Sequence, residues 1–138
     1  MAGFTITVLS INNSTIINNS GGGIFHQTGI VTINNSTVSG NSGGGIFTFG
    51  GTVNLTNSTV SSNFGSSVGG GITIESGGTV NLTNATVAFN SASAANGGGI
   101  YRGNTNTAVN ARNSIIASNI GGMVASDLPE RLIRKVII

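Results

Sequence analysis

A short motif recurs along the whole chain, and this repetition limits the folds that the chain can adopt. The first marker, Asn-Ser/Ala-Thr/Ile-Val/Ile, begins at Asn13, Asn35, Asn57, Asn84 and Asn113, with spacings of 22, 22, 27 and 29 residues. A second marker, Gly-Gly-Gly-Ile, follows in step at 21–24, 43–46, 69–72 and 97–100, and a degraded copy lies at 121–124. Repeats of this length are typical of solenoids, in which neighbouring units stack. The sequence therefore predicts five stacked turns.

Apolar and polar residues alternate within each repeat, as in Thr52-Val53-Asn54-Leu55-Thr56. A period of two is the pattern of a β-strand with one face exposed to water. Aligning the repeats places aliphatic residues in the same positions of every copy, and these are the predicted core: Val31, Val53 and Val80; Val38, Val60 and Val87; and Ile46, Ile72 and Ile100. We predict an all-β fold, a single-stranded parallel β-helix of about five turns with three short strands per turn. Its expected hand is right, as for most crossovers between parallel strands.

The end of the chain departs from the repeat. From Asp127 onward the apolar residues fall on one helical face, and Asp127 with Glu130 fits a capping box. We therefore predict a β-helix domain over 1–125 and a short amphipathic cap, a helix or failing that a strand, over 126–138. No cap is visible at the other end, where an uncovered strand edge pairs readily with further strands. The extra residues of the longer repeats predict protruding loops at 64–68 and 91–96.

Asparagine and glycine occupy fixed positions in the repeat. We expect the first asparagine column at bends that use the left-handed conformation, with amides bonded from turn to turn: Asn13, Asn35, Asn57, Asn84 and Asn113. A second column is predicted at the end of the following strand: Asn19, Asn41, Asn63, Asn90 and Asn119. The glycine runs indicate positions that need a positive φ or a close approach between turns. These three sets of residues are predicted to be structural.

Charged residues make up only 6% of the chain, and cysteine is absent. The acids are Glu75, Asp127 and Glu130, and acid–base catalysis or calcium binding needs carboxylates that converge. The sequence therefore predicts no catalytic residues, no cofactor and no metal site. His26 has no second ligand that would make it a metal site, so we expect a solvated loop histidine. Glu75 and Arg102 follow corresponding markers on adjacent turns, which predicts an exposed ion pair.

The charge distribution also bears on possible partners. Three of the five basic residues are Arg131, Arg134 and Lys135, close to the end of the chain. Nucleic-acid surfaces need several clustered cations along the body of the protein, so we expect no nucleic-acid partner. No apolar run is long enough to predict a transmembrane helix. Met1 to Ile11 has no basic residue and no sustained apolar core, so we expect no signal peptide in this chain.

The two markers together resemble a known repeat. Gly-Gly-x-Ile is paired with Val/Ile-x-x-Asn at 16–19, 38–41, 60–63, 87–90 and 116–119. Over about residues 8–125 the chain resembles the polymorphic outer membrane protein type of right-handed β-helix repeat, which occurs in surface-exposed passenger domains and large bacterial adhesins. The resemblance implies an extracellular or cell-surface location.

Four functions remain open from the sequence. The first is a non-catalytic structural or adhesive segment of a bacterial surface or secreted protein, with a host-cell or glycan ligand. The second is a rod or filament subunit that self-associates end to end. The third is an ice-binding solenoid, because one outward column carries regularly spaced hydroxyls: Thr15, Thr37, Thr59 and Thr86. The fourth, a polysaccharide lyase or hydrolase, lacks the acidic residues that such chemistry needs.

Overall fold

The protein consists of short parallel strands joined by bends, in a computed structural model that describes residues 7–66, 68–93, 97–104 and 106–121. The strands are β1 (Val8–Asn12), β2 (Thr15–Ile17), β3 (Ile24–His26), β4 (Ile30–Asn34), β5 (Thr37–Ser39), β6 (Ile46–Thr48), β7 (Thr52–Thr56), β8 (Thr59–Ser61), β9 (Phe64–Gly65), β10 (Ile72–Ile74), β11 (Thr79–Thr83), β12 (Thr86–Ala88), β13 (Ser91–Ala92), β14 (Ile100–Arg102), β15 (Ala108–Arg112) and β16 (Ile115–Ala117). The described residues contain no helix.

Consecutive strands belong to different sheets, so the chain coils. The first sheet has the order β1-β4-β7-β11-β15, the second β2-β5-β8-β12-β16 and the third β3-β6-β10-β14. All pairings are parallel, and each strand pairs with its counterpart one coil away. This is the predicted parallel β-helix with three strands per turn. Four coils have all three strands within the described residues, and a fifth has β15 and β16.

The core runs along the axis of the coils. Strand partners occupy equivalent positions of successive repeats, as in Val31 with Val53 and Val53 with Val80. Because side chains alternate between the two faces of a strand, this register keeps every aliphatic column on the inner face. The predicted core residues lie in the buried cluster and are at most 4% exposed: Val31, Val53, Val80, Val38, Val60, Val87, Ile46, Ile72 and Ile100.

The bend between the first and second sheets uses asparagine in every coil. Its five asparagines have φ between 48° and 51°, in the left-handed region: Asn13, Asn35, Asn57, Asn84 and Asn113. Asparagine reaches this region at lower cost than most residues with a side chain. The bend therefore turns the chain sharply between two five-strand sheets without a glycine.

Adjacent glycines of one marker are required for different structural reasons. Gly44 has φ +93°, which a residue with a side chain rarely adopts. Gly45 lies outside the left-handed region, but a Cβ there would be 2.5 Å from the carbonyl oxygen of Gly71 and 2.8 Å from Nδ2 of Asn63. A positive φ and a close approach between coils are thus both present, at adjacent positions of one marker.

The prediction of plain loops at 64–68 and 91–96 is wrong at the start of each segment. Phe64–Gly65 and Ser91–Ala92 form β9 and β13, which pair in parallel. Both longer coils carry the insertion at the same place, so their backbone groups lie opposite one another and form hydrogen bonds. Ala92 N–H also donates to the carbonyl of Ile120 in the next coil. The predicted cap over 126–138 lies outside the described residues.

Candidate functional site

One column of residues on the outer face of the third sheet contains three aromatic side chains and one threonine. Phe25, Phe47, Thr73 and Tyr101 occupy equivalent positions of β3, β6, β10 and β14. The rings of Phe25 and Phe47 stack with centroids 5.1 Å apart and planes 8° from parallel. The side chain of Phe25 is nevertheless 69% exposed, whereas Phe47 is half-buried. The stack therefore presents an apolar surface to solvent.

A groove of about 420 Å³ lies beside this stack, and we call it the glycine–aromatic groove. The glycines that line it are those of the first marker together with Gly43, Gly44 and Gly69. The other lining residues are Ile24, Phe25, Ile46, Phe47, Val68 and Thr73. None of the described residues that line it is charged. The volume is within the range of about 300–1,000 Å³ found for small-molecule sites.

Some backbone groups along the groove take no part in the hydrogen-bond ladder between coils. Gly23 N–H donates to Gly44 O at 3.0 Å, and Gly44 N–H donates to Phe64 O at 2.9 Å. By contrast, the peptide groups of Gly21, Gly22 and Gly43 make no hydrogen bond to other described residues. Gly21 is exposed, and Gly22 and Gly43 are partly exposed. These groups can therefore form hydrogen bonds with water or a ligand.

The second asparagine column forms a ladder that is buried except at its first member. In every member after Asn19, Oδ1 accepts from both the backbone N–H and the Nδ2 of the asparagine one coil before, at 2.9–3.0 Å. The Nδ2 also donates to a strand carbonyl, as from Asn63 to Val38 at 3.0 Å. The ladder contains Asn19, Asn41, Asn63, Asn90 and Asn119. Its hydrogen bonds are used within the fold, and its buried members are unavailable to a ligand.

Three further sets of asparagine bonds lie at the surface, one of them a single bond from Asn34 to Asn12 at 2.9 Å. In the bend column, Asn57 donates to Asn35 at 3.3 Å and Asn84 donates to Asn57 at 3.2 Å. The outward face of the first sheet holds a ladder that the sequence reasoning missed, in which Asn81 donates to Asn54 and Asn110 to Asn81, both at 2.8 Å. Its signal was available, because the three asparagines occupy equivalent repeat positions.

The threonine column lies on the outward face of the second sheet. Thr15, Thr37, Thr59 and Thr86 are in register on β2, β5, β8 and β12, and Ile115 takes the position on β16. Thr15 is exposed and the other three are partly buried. The structure thus places these hydroxyls in one row, and the ice-binding hypothesis stays a prediction.

The prediction that His26 is a solvated loop residue is wrong. His26 is the third residue of β3, points inward in register with Thr48, and is 6% exposed. Thr48 Oγ1 donates to Gly50 O at 2.5 Å, so it accepts from Nδ1 of His26 at 3.1 Å. Nε2 is buried and has no hydrogen-bond partner in the described structure.

The predicted ion pair between Glu75 and Arg102 is also wrong. Arg102 Nε donates to Thr107 Oγ1 at 3.0 Å, and its Nη2 donates to the Thr107 carbonyl. The Glu75 carboxylate instead lies against Gly103, where an added Cβ would collide with it. Thr107 therefore provides both acceptors that Arg102 uses, within its own coil.

The described residues contain no group of three or more histidine, aspartate or glutamate side chains that could hold a metal ion. They also contain no helix with the length and hydrophobicity needed to cross a membrane.

The stacked coils, the continuous aliphatic core and the in-register ladders define a parallel β-helix protein. A family model described as a right-handed β-helix region matches residues 5–131. The chain belongs to this right-handed β-helix family, and the predicted hand is confirmed. No curated protein and no solved structure gives a significant match.

Proposed function

We propose that the chain is a non-catalytic adhesive segment of a bacterial surface or secreted protein and that it binds a host-cell or glycan ligand. The β-helix acts as a rigid support whose surface carries the contacts. The resemblance of the two markers to repeats of bacterial surface adhesins supports the cell-surface setting.

The observation that carries this proposal is the set of exposed phenylalanines. The exposed fractions are 69% for Phe25, 52% for Phe49, 44% for Phe64 and 69% for Phe89. Large apolar side chains that a fold leaves in water mark interaction surfaces when they cluster. Phe89 also has φ 56°, a conformation that costs a bulky residue about 1–2 kcal/mol. Neither core packing nor backbone preference favours a phenylalanine there, which supports a role of Phe89 in binding.

The paired variant Phe64→Ser/Phe89→Ser tests adhesion. The two residues lie near the same bend of adjacent coils, since β9 begins at Phe64 and its partner β13 begins two residues after Phe89. We expect at least a tenfold loss of binding to glycan arrays and host cells, with unchanged circular dichroism. The matched control is Thr59→Ser, a surface change elsewhere on the coil, which should bind like the parent protein.

Three results would contradict the adhesive function. The first is the absence of binding by the folded parent protein on both arrays and cells. The second is binding that survives the paired substitution. The third is release of oligosaccharides from pectin-like polysaccharides by the purified protein, because this would contradict its non-catalytic character.

A second candidate function is end-to-end self-association. Among the described residues, one core column is open at the first coil, where Leu9 is 44% exposed although Val31 in the same column is fully buried. Within the described residues β1, β2 and β3 each end their sheet, so one edge of each strand lacks a ladder partner. Such an edge pairs readily with a strand of another copy. We therefore propose that a second copy of the chain pairs with these open strand edges.

Sedimentation velocity at several protein concentrations tests self-association. We expect species that grow with concentration, together with short rods in negative-stain images. Leu9→Lys places a charge on the exposed end and should shift the distribution to monomer. Thr32→Lys, on the outward face of the next coil, is the control and should leave assembly unchanged. A parent protein that stays monomeric at every concentration would contradict this function.

A further inference from the structure

We propose that the glycine–aromatic groove binds one uncharged sugar ring of a glycan, with the apolar face of the pyranose on Phe25 and its hydroxyl groups at the free peptide groups of the first two glycine markers. This inference rests on the proposed adhesive function and adds, to the contacts at Phe64 and Phe89, a separate contact site for one ring of the glycan, with a stated ligand class. Three observations support the inference: the aromatic stack, the backbone groups without hydrogen-bond partners, and the absence of charge among the described residues that line the groove.

The aromatic stack provides a flat and ordered platform. Phe47 is half-buried and holds the ring of Phe25 nearly parallel to its own, 5.1 Å away. The face of an aromatic ring carries partial negative charge, so it attracts the weakly positive C–H groups on one face of a pyranose. Because the platform exists before the ligand arrives, little ordering is required on binding.

The open backbone provides the polar half of the site. Each peptide group of Gly21, Gly22 and Gly43 offers an N–H donor and a carbonyl acceptor, and sugar hydroxyls can bond to both. A Cβ on Gly43 would be 2.7 Å from the carbonyl carbon of Gly21, and one on Gly22 would be 3.2 Å from Gly43 O. Side chains at these two positions would thus fill the space between the coils. A purely apolar ligand would leave these peptide groups without partners, which disfavours it.

The uncharged lining of the groove favours neutral sugars over charged ones. The groove is lined by no acidic or basic side chain within the part of the chain that the structure describes, so a carboxylated or sulfated sugar would lose hydration there without gaining a counter-charge. A neutral pyranose loses no such hydration. The groove is therefore matched to neutral hexoses and N-acetylhexosamines and disfavours uronic acids.

Titration of the full chain followed by ¹⁵N-edited NMR tests the site. The probes are neutral oligosaccharides of glucose, galactose, mannose and N-acetylglucosamine, with oligogalacturonate as the anionic comparison and indole as the apolar one. We expect at least one neutral probe to shift the amide signals of Gly21, Gly22 and Gly43, and oligogalacturonate and indole to leave them unchanged. Phe25→Ala should weaken that binding at least tenfold, and Phe25→Tyr should keep it within about threefold, since both rings offer a similar face.

The control separates this inference from the adhesive function. Ile17→Ala removes an exposed apolar side chain of the same coil that does not line the groove, so it should leave the NMR titration unchanged. If the Phe64→Ser/Phe89→Ser variant loses adhesion but Phe25→Ala binds glycans normally, the adhesive function stands and the groove inference is wrong. Absence of shifts with every neutral probe, equal shifts with oligogalacturonate, or preference for indole would each overturn it.

Discussion

Asn63→Ala is expected to lower the free energy of unfolding by about 2–6 kcal/mol, because each buried polar group left without a partner costs about 1–3 kcal/mol. Asn63 is fully buried. Its Oδ1 accepts the backbone N–H of Asn41 at 3.0 Å, and its Nδ2 donates to Val38 O at 3.0 Å and to Asn90 Oδ1 at 2.9 Å. Alanine removes these bonds in three successive coils at once. Urea denaturation followed by far-UV circular dichroism measures the change.

The control for this prediction is Asn54→Thr on the same coil. Asn54 belongs to the ladder on the outward face, is partly exposed, and accepts from Asn81 at 2.8 Å. Thr32 occupies the equivalent position one coil earlier, so threonine fits this column. A change within about 0.5 kcal/mol is expected, as for most surface substitutions. Equal losses for the two variants would show that burial does not distinguish the ladders and would contradict the prediction.

Gly45→Ala is expected to destabilise the fold by about 3 kcal/mol or more, at the upper end of the cost of overpacking. The added Cβ would lie 2.5 Å from Gly71 O, 2.8 Å from Nδ2 of Asn63 and 3.0 Å from Cγ1 of Val60. The carbonyl of Gly71 is held by the N–H of Ile46 at 2.9 Å, so it cannot move aside without breaking the ladder. Thermal and urea denaturation measure the loss.

Gly21→Ala is the matched control in an equivalent marker. A Cβ at Gly21 meets no atom within 4 Å, and its φ lies outside the left-handed region. Alanine restricts the unfolded chain more than glycine does, so stability should stay level or rise by up to about 1 kcal/mol. A Gly45→Ala protein as stable as the Gly21→Ala protein would mean that the coils are not in close contact at the markers.

Much of the fold could be predicted from the repeat. The spacing of Val38, Val60 and Val87 places them one coil apart, and a two-residue period gives each a single face. Together these features predict parallel strands in register with one aliphatic core. The bounds of the small sheet β9-β13 could not be predicted, because insertions of this kind pair only when two adjacent coils carry them in the same place and their backbones come opposite one another.

The candidate site was less accessible to sequence reasoning. Phe25 and Phe47 are 22 residues apart, the length of one coil, so their stacking could have been inferred from the same alignment that gave the core. The free peptide groups of Gly21, Gly22 and Gly43 could not, since they depend on where the ladder hydrogen bonds begin and end. His26 was misplaced for a related reason: the sequence shows a single polar residue at a strand end, and the coil turns that position inward against Thr48.

The sequence by itself determined the coil, its register and its core, because those follow from side-chain periodicity, which is a local property of the chain. Only the tertiary structure decided which polar columns are buried, which glycines touch a neighbouring coil, and which backbone groups remain open beside the aromatic stack. Burial and contact depend on atoms from two or three coils at once. Burial and contact between coils depend on the distance between stacked backbones, which cannot be read from the sequence of a single repeat.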